Sequence, residues 1–156
     1  MKKLCVFLAL LLLFASCQRK THLPNLPEAV EIALSQYGDE TDFVRADPDF
    51  VATNFNADTE VEEAAVYLSQ TGDGTEFGFF SLRDEGDKAK MIAAIDDYLE
   101  SERQAVEALA ALYPAEELEQ RRMRFDCATV GATERLVYYF LTDPHIAKQT
   151  LKQLCK

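Results

Sequence analysis

The 156-residue chain has two histidines, four cysteines and no tryptophan, and its 16 Lys+Arg are outnumbered by 27 Asp+Glu, for a formal net charge of −11. Two histidines leave little room for imidazole chemistry, whether as metal ligand or as acid–base catalyst. The shortage of clustered cations argues against nucleic acid as a partner, because phosphates require them. Six glycines and five prolines exclude a collagen repeat and low-complexity disorder, and four cysteines are too few for a disulfide-dense mini-protein. No serine sits in a G-x-S-x-G elbow, which removes the usual signal of an acyl-transfer nucleophile. The length allows one domain with a short appendage.

What is present begins at the N-terminus, MKKLCVFLALLLLFASCQRK. Lys2 and Lys3 form a positive n-region, and Leu4 to Ala15 is a run of 12 uncharged residues. Such a run is too short to span a bilayer core, which takes about 20 residues, and it fits a signal-peptide h-region. The run ends in Phe14-Ala15-Ser16-Cys17. This resembles a bacterial lipoprotein signal, in which small residues precede a Cys that receives a diacylglycerol on its sulfur before the chain is cut just ahead of it. Phe14 stands where Leu is usual. The resemblance implies a signal peptide over 1–16, lipid attachment at Cys17 and a mature chain of 140 residues with a net side-chain charge of −13. Two acyl chains hold stably where one anchors only marginally.

Residues 17–26 then form a lipidated tether. Its nine residues after Cys17 reach about 30 Å when extended. His22 in this stretch has no companion at metal-ligand spacing. Residues 27–156 read as a single α+β domain. Pro27 to Leu34 predicts a short helix, with Pro and Glu in the first turn and Gly38 as its stop. Residues 39–60 read as acidic and irregular. Val61–Ser69 places Ala64, Val66 and Leu68 on one face and Ala65 and Tyr67 on the other. With the turn Thr71-Gly72-Asp73-Gly74 and the strand EFGFFSL (Glu76–Leu82), it predicts a β-hairpin. A long helix is expected from Gly86-Asp87 to about Leu112, with an apolar stripe through Met91, Ile95, Tyr98, Val106 and Leu109. Strands are expected at Arg124–Val130 and Glu134–Leu141, joined at Gly131-Ala132. The second of these is apolar on both faces and therefore central. Asp143 and Pro144 open a final helix as N-cap and first residue. The expected architecture has two layers. A four-stranded, mainly antiparallel sheet (ββα-ββα) carries helices on one face and is preceded by the short N-terminal helix.

This order resembles a family of bacterial lipoproteins of unknown function, the DUF4358 domain family, over roughly residues 58–154. The residues that carry the resemblance are the hairpin VEEAAVYLSQTGDGTEFGFFSL and the charged helix KAKMIAAIDDYLESERQ. Tyr113-Pro114-Ala115-Glu116 and the strand ending LVYYFLTDP complete it. The resemblance implies location and fold, and it carries over no site residues.

Candidate chemistry is sparse. Asp47, Asp49, Asn54, Asn56, Asp58 and Glu60 offer the oxygens that calcium prefers, but no start point in this segment gives an EF-hand register. Asp96, Asp97, Glu100 and Glu102 are carboxylates of the kind glycoside hydrolysis uses in pairs. On an amphipathic helix they read as its water-facing side. His145 reads as structural or solvated. Cys127 and Cys155 are a candidate disulfide pair outside the cytoplasm, or two separate thiols. Charge is uneven: residues 28–63 hold eleven acids and one base, and residues 121–156 seven bases and three acids. The basic end is a candidate to face anionic lipid.

The sequence therefore predicts an extracytoplasmic lipoprotein, lipid-anchored to the bacterial cell membrane. It would act as a binding or interaction module for an unidentified ligand, with an envelope protein as a candidate partner and with no cofactor, metal or catalytic residue assigned. The alternatives are a small-ligand or calcium binder using residues 39–60 and, behind it, an enzyme with carboxylates assembled by the fold. Expressed in a lipoprotein-processing bacterium, the chain is expected to incorporate labelled palmitate. The Cys17→Ala variant should lose the label, and retention of label by that variant would refute the assignment.

Overall fold

The computed structural model describes residues 24–37, 42–57 and 59–155. The signal peptide, Cys17, His22, Gly38 and Asp58 lie outside the described residues. The elements in chain order are α1 (Leu26–Leu34), β1 (Phe43–Arg45), α2 (Pro48–Asn54), β2 (Val61–Ser69) and β3 (Glu76–Leu82). They continue with α3 (Lys88–Ala108), α4 (Ala115–Asp126), β4 (Thr129–Ala132), β5 (Leu136–Leu141) and α5 (Pro144–Leu154).

Local chemistry explains where the helices start. Asn25 and Glu28 form a reciprocal capping box at α1, each side chain meeting the other's backbone N–H at 3.0 Å, which satisfies two otherwise orphaned donors. Pro24 and Leu26, in the segment expected to be tether, are buried. Asp47 caps α2 through Phe50 N at 2.7 Å. Asp143 caps α5 through His145 N at 2.7 Å, with Pro144 as its first residue.

The five strands form one antiparallel sheet in the order β1-β2-β3-β5-β4. The hairpin β2–β3 pairs Ala64 with Phe80 and Val66 with Gly78, and β5 lies along the other side of β3. The alternation of β3 and β5 divides the core in two. Val66, Phe80, Val137, Tyr139 and Leu141 face one way and meet Met91, Ile95, Tyr98 and Leu99 of α3. Ala65, Phe77, Phe79, Leu136 and Phe140 face the other way and meet α1 and α5. Phe77, Phe79, Phe80, Tyr139 and Phe140 are all fully buried.

The α+β class, the hairpin, the interior place of β5 and the opening of the last helix agree with expectation. Several finer points do not. The sheet has five strands, not four, because residues 39–60 are not wholly irregular: β1 pairs with β2 as an added edge, and α2 follows it. The helices cover both faces of the sheet, giving three layers. A strand that is apolar on both faces cannot leave one face to water without exposing a row of aromatics, and β3 and β5 are both such strands. The segment expected to be a strand from Arg124 is the last turn of α4, and β4 starts at Thr129. Gly131 and Ala132 belong to that strand. The long helix ends at Ala108, with a short 3-10 turn over Ala110–Leu112. Its expected stripe breaks there, and Leu109 is 47% exposed.

Gly78 sits where β3 crosses the Tyr139 ring. A Cβ there would lie 2.5 Å from Tyr139 Cε1 and 3.1 Å from Val66 Cγ2. Gly72 is different, with a left-handed φ of +75° but open space around it. Gly78→Ala is therefore expected to cost about 2–3 kcal/mol through overpacking. Gly72→Ala is expected to cost about 1 kcal/mol through its backbone alone. Urea unfolding of the two variants checks this order, and equal losses would contradict it.

Candidate functional site

The turn between β2 and β3 organises the polar end of the molecule. Gly72 and Gly74 both take positive φ. Asp73 between them accepts hydrogen bonds from Thr75 N at 2.9 Å and from Thr75 Oγ1 at 2.7 Å. Two arginines one turn apart on α4 hold this turn from outside. Arg121 Nη2 donates to the Gly72 carbonyl, and Arg124 Nη1 donates to the Asp73 carbonyl. Arg124 Nη2 also meets Asp73 Oδ2 at 3.1 Å. Arg121 is positioned in turn by Glu117 at 3.0 Å and by the Tyr113 ring, whose centroid lies 4.7 Å from the guanidinium. The hydrogen bonds of Thr75 and the charge of Arg124 hold the Asp73 carboxyl below the usual range, outweighing the opposing effect of partial burial.

Two hollows flank the turn, one on each face of the sheet. The larger is a cleft of about 450 Å³, on the face that carries α1 and α5. Its walls include Tyr37, Phe43, Thr142 and Ile146, with Asp73, Arg124 and Met123 at the turn side and Asp42 and Asp143 beside them. The Tyr37 ring packs on Phe43 at 4.5 Å and on Phe77 at 5.7 Å. Its hydroxyl is buried with no hydrogen-bond partner, facing Thr142 without closing a bond of ordinary geometry. Burial is the main reason its pKa is pushed up to about 12.

The smaller hollow, about 60 Å³, lies on the α3 face and is lined by Glu76, Glu102, Arg121 and Arg124 among others. Glu76 is only 8% exposed. Its Oε2 accepts from the Tyr98 hydroxyl at 3.0 Å. Its Oε1 has no partner, and neither does the hydroxyl of Tyr139, which faces Glu76 without meeting hydrogen-bond geometry. Desolvation is the main cause that lifts the Glu76 pKa to about 7. The Glu102 charge adds to the lift, and the Tyr98 hydroxyl opposes it. The same burial raises the Tyr98 and Tyr139 phenols.

Most of the residues singled out in the sequence fall elsewhere. Cys127 and Cys155 are both free, contrary to the candidate disulfide. Cys127 ends α4, which packs on α3, whereas Cys155 ends α5 on the opposite face of the sheet. His145 is exposed on the first turn of α5. Asp96, Asp97 and Glu100 face water, but Glu102 turns inward to the Glu76 hollow. In the acidic segment Asp47 is spent on capping and Glu60 pairs with Arg83. Among the described residues no group of three or more His, Cys, Asp or Glu is placed to hold a metal ion. Arg121, Arg122 and Arg124, three bases of the basic end, pair with Glu117, Glu107 and Asp73. Among the described residues no helix is long and apolar enough to cross a membrane.

The sequence reading missed Glu76, Tyr37, Asp73 and Arg124 as site residues. For Glu76 a signal existed. It shares its strand face with Gly78 and Phe80, so a two-faced apolar strand must bury it. Comparisons with family models, with curated proteins and with solved structures give no match for this chain. The DUF4358 resemblance thus stands on the residue pattern alone.

A carboxyl whose folded pKa lies above its unfolded value binds a proton more tightly in the native state. Stability is then greatest below the unfolded value of 4.5 and falls as pH rises toward the folded value of about 7. The loss attributable to Glu76 is expected to reach about 3 kcal/mol by pH 7 and to level off above it. Glu76→Gln should flatten this slope in chemical unfolding series at pH 5, 6, 7 and 8. An unchanged slope would show that Glu76 is not the group responsible.

Proposed function

We propose that this chain is a membrane-anchored extracytoplasmic lipoprotein. In this reading it holds a small amine- or hydroxyl-bearing ligand in the 450 Å³ cleft. Relation to the DUF4358 lipoproteins is part of the proposal and rests on residues 58–154. The observation that carries the reading is where the cleft lies relative to the tether. Asn25, Leu26 and Pro27 enter the domain beside Ser81, Leu82 and Leu136, at the far end of β3. The cleft meets Ser69, Thr75 and Thr142 at the near end. Seven residues of strand separate the two ends, about 20 Å. A lipid on Cys17 would therefore leave the cleft open to the surroundings, away from the bilayer.

The lining suits a compact ligand with an apolar face and a cationic or hydroxyl head. Asp42, Asp73 and Asp143 are met by one lining cation, Arg124, which is already bound to Asp73. Tyr37, Phe43 and Ile146 supply the apolar floor, and the volume lies in the range of small-molecule sites. Ser69 and Thr71 supply hydroxyls for orientation. An envelope protein partner is the second reading. It is favoured by the exposure of Leu109, Leu112 and Met123, at 47%, 77% and 54%, along the α3–α4 segment.

The test is thermal unfolding of the full chain in detergent with glucosamine, lysine or spermidine, each against an uncharged counterpart. An amine probe is expected to stabilise the protein, by about 2.7 kcal/mol at 100 times its Kd. Thr71→Val and Asp42→Asn should each weaken the effect. Stabilisation by none of the amines, or stabilisation insensitive to both substitutions, would overturn the reading.

A further inference from the structure

The two hollows share a wall. Arg124 lines both the cleft on one face and the Glu76 hollow on the other, and the turn it grips joins directly to β3 at Glu76. The groups facing Glu76 come from every neighbouring element. Tyr98 and Glu102 come from α3 and Tyr139 from β5, and Arg121 and Arg124 of α4 line its hollow. The strand partners directly beside it, Leu68 of β2 and Leu141 of β5, are apolar. A protonated Glu76 suits this setting, because it is neutral and carries a hydrogen on the side of its unpartnered oxygen. An ionised Glu76 does not. It is a buried charge beside the like charge of Glu102, and a charge in that position requires a cation or water.

Among the described residues the cations lining its hollow are Arg121 and Arg124, and both are engaged with the turn. We propose that Glu76 is a proton-operated latch on the cleft. When it gives its proton to solvent, its carboxylate competes with Asp73 and the turn carbonyls for Arg124 and Arg121, and the turn that walls the cleft is released. When it takes a proton back, the arginines return to the turn and the wall closes. The latch joins two faces of one sheet through a single side chain, Arg124, and needs no movement of the sheet itself. It depends on the clamp and not on what the cleft holds, so its test needs no ligand and its outcome is separate from that of the binding reading.

The test is NMR of the full chain in detergent micelles between pH 5 and pH 9, with His22→Asn and His145→Asn in every sample. The Glu76 side-chain carboxyl, the backbone amides of Gly72, Asp73 and Gly74, and Arg124 Nε are followed together. The carboxyl is expected to titrate with a midpoint near 7, and the turn amides and Arg124 Nε should shift with the same midpoint. Glu76→Gln should hold the turn signals at their low-pH positions throughout. Tyr98→Phe removes a donor to the carboxylate and should move the carboxyl and turn midpoints upward together. The proposal is overturned if Glu76 does not titrate in this range or titrates while the turn signals stay fixed. It is also overturned if the turn transition survives in Glu76→Gln, or if the two midpoints part in Tyr98→Phe.

Discussion

Burial of strands β3 and β5 on both faces is the constraint on which the rest of this structure depends. Phe77 and Phe79 point one way along β3 and Phe80 the other, while β5 sets Phe140 against Tyr139 in the same manner. Each such side chain is worth roughly 1.5–3 kcal/mol when fully removed from water. Neither face can be left open, so α3 must cover one and α1 with α5 the other. The edges follow from the same rule. β1 and β4 are short strands that close the hydrogen-bonding of β2 and β5 without extending an open flat edge.

A sheet buried on both faces makes its ends the place where polar groups gather. At one end the chain enters through Asn25 and Leu26. At the other, the glycine turn, Asp73, Thr75 and the two arginines of α4 meet. Both glycines of the turn bend it with positive φ, and a Cβ on Gly74 would stand 3.0 Å from Arg121 Nη1. Turn and clamp are therefore fitted to each other. The hydrogen bonds and ion pair of Asp73 are partly buried, where they are screened less than a surface pair. Glu76 stands one residue inside this polar end, on the wrong side of the boundary for a charge. The raised proton affinity of Glu76 follows from that placement.

The hairpin, the Asp143 cap of the last helix and the pairing of β5 with β4 were legible because each depends on residues close in sequence. Asp143-Pro144 opens a helix as N-cap and first residue. Alternating Ala64, Val66 and Leu68 specify a strand face. The helix of residues 115–126 has a mostly charged sequence and no fully buried side chain, so it shows no clear apolar stripe. Strand β1 is three residues long, and only its partner β2 makes it a strand. The error over helices on one face had its correction in view, because LVYYFL is apolar at every position. The same test applied to EFGFFSL would also have exposed Glu76 as a buried acid.

The sequence by itself determined the α+β class, the order of most elements, the hydrophobic identity of the central strands and the resemblance of the N-terminus to a lipoprotein signal. These follow from periodicity and local chemistry, which act over a few residues. Only the tertiary structure decided that Tyr98, Tyr139 and Glu102 gather around Glu76. It also placed Arg124 between the Glu76 hollow and the cleft, and parted Cys127 from Cys155. Those relations join residues tens of positions apart through sheet order and helix placement. Many compact arrangements share one periodicity, and the packing of two faces around β3 and β5 selects among them.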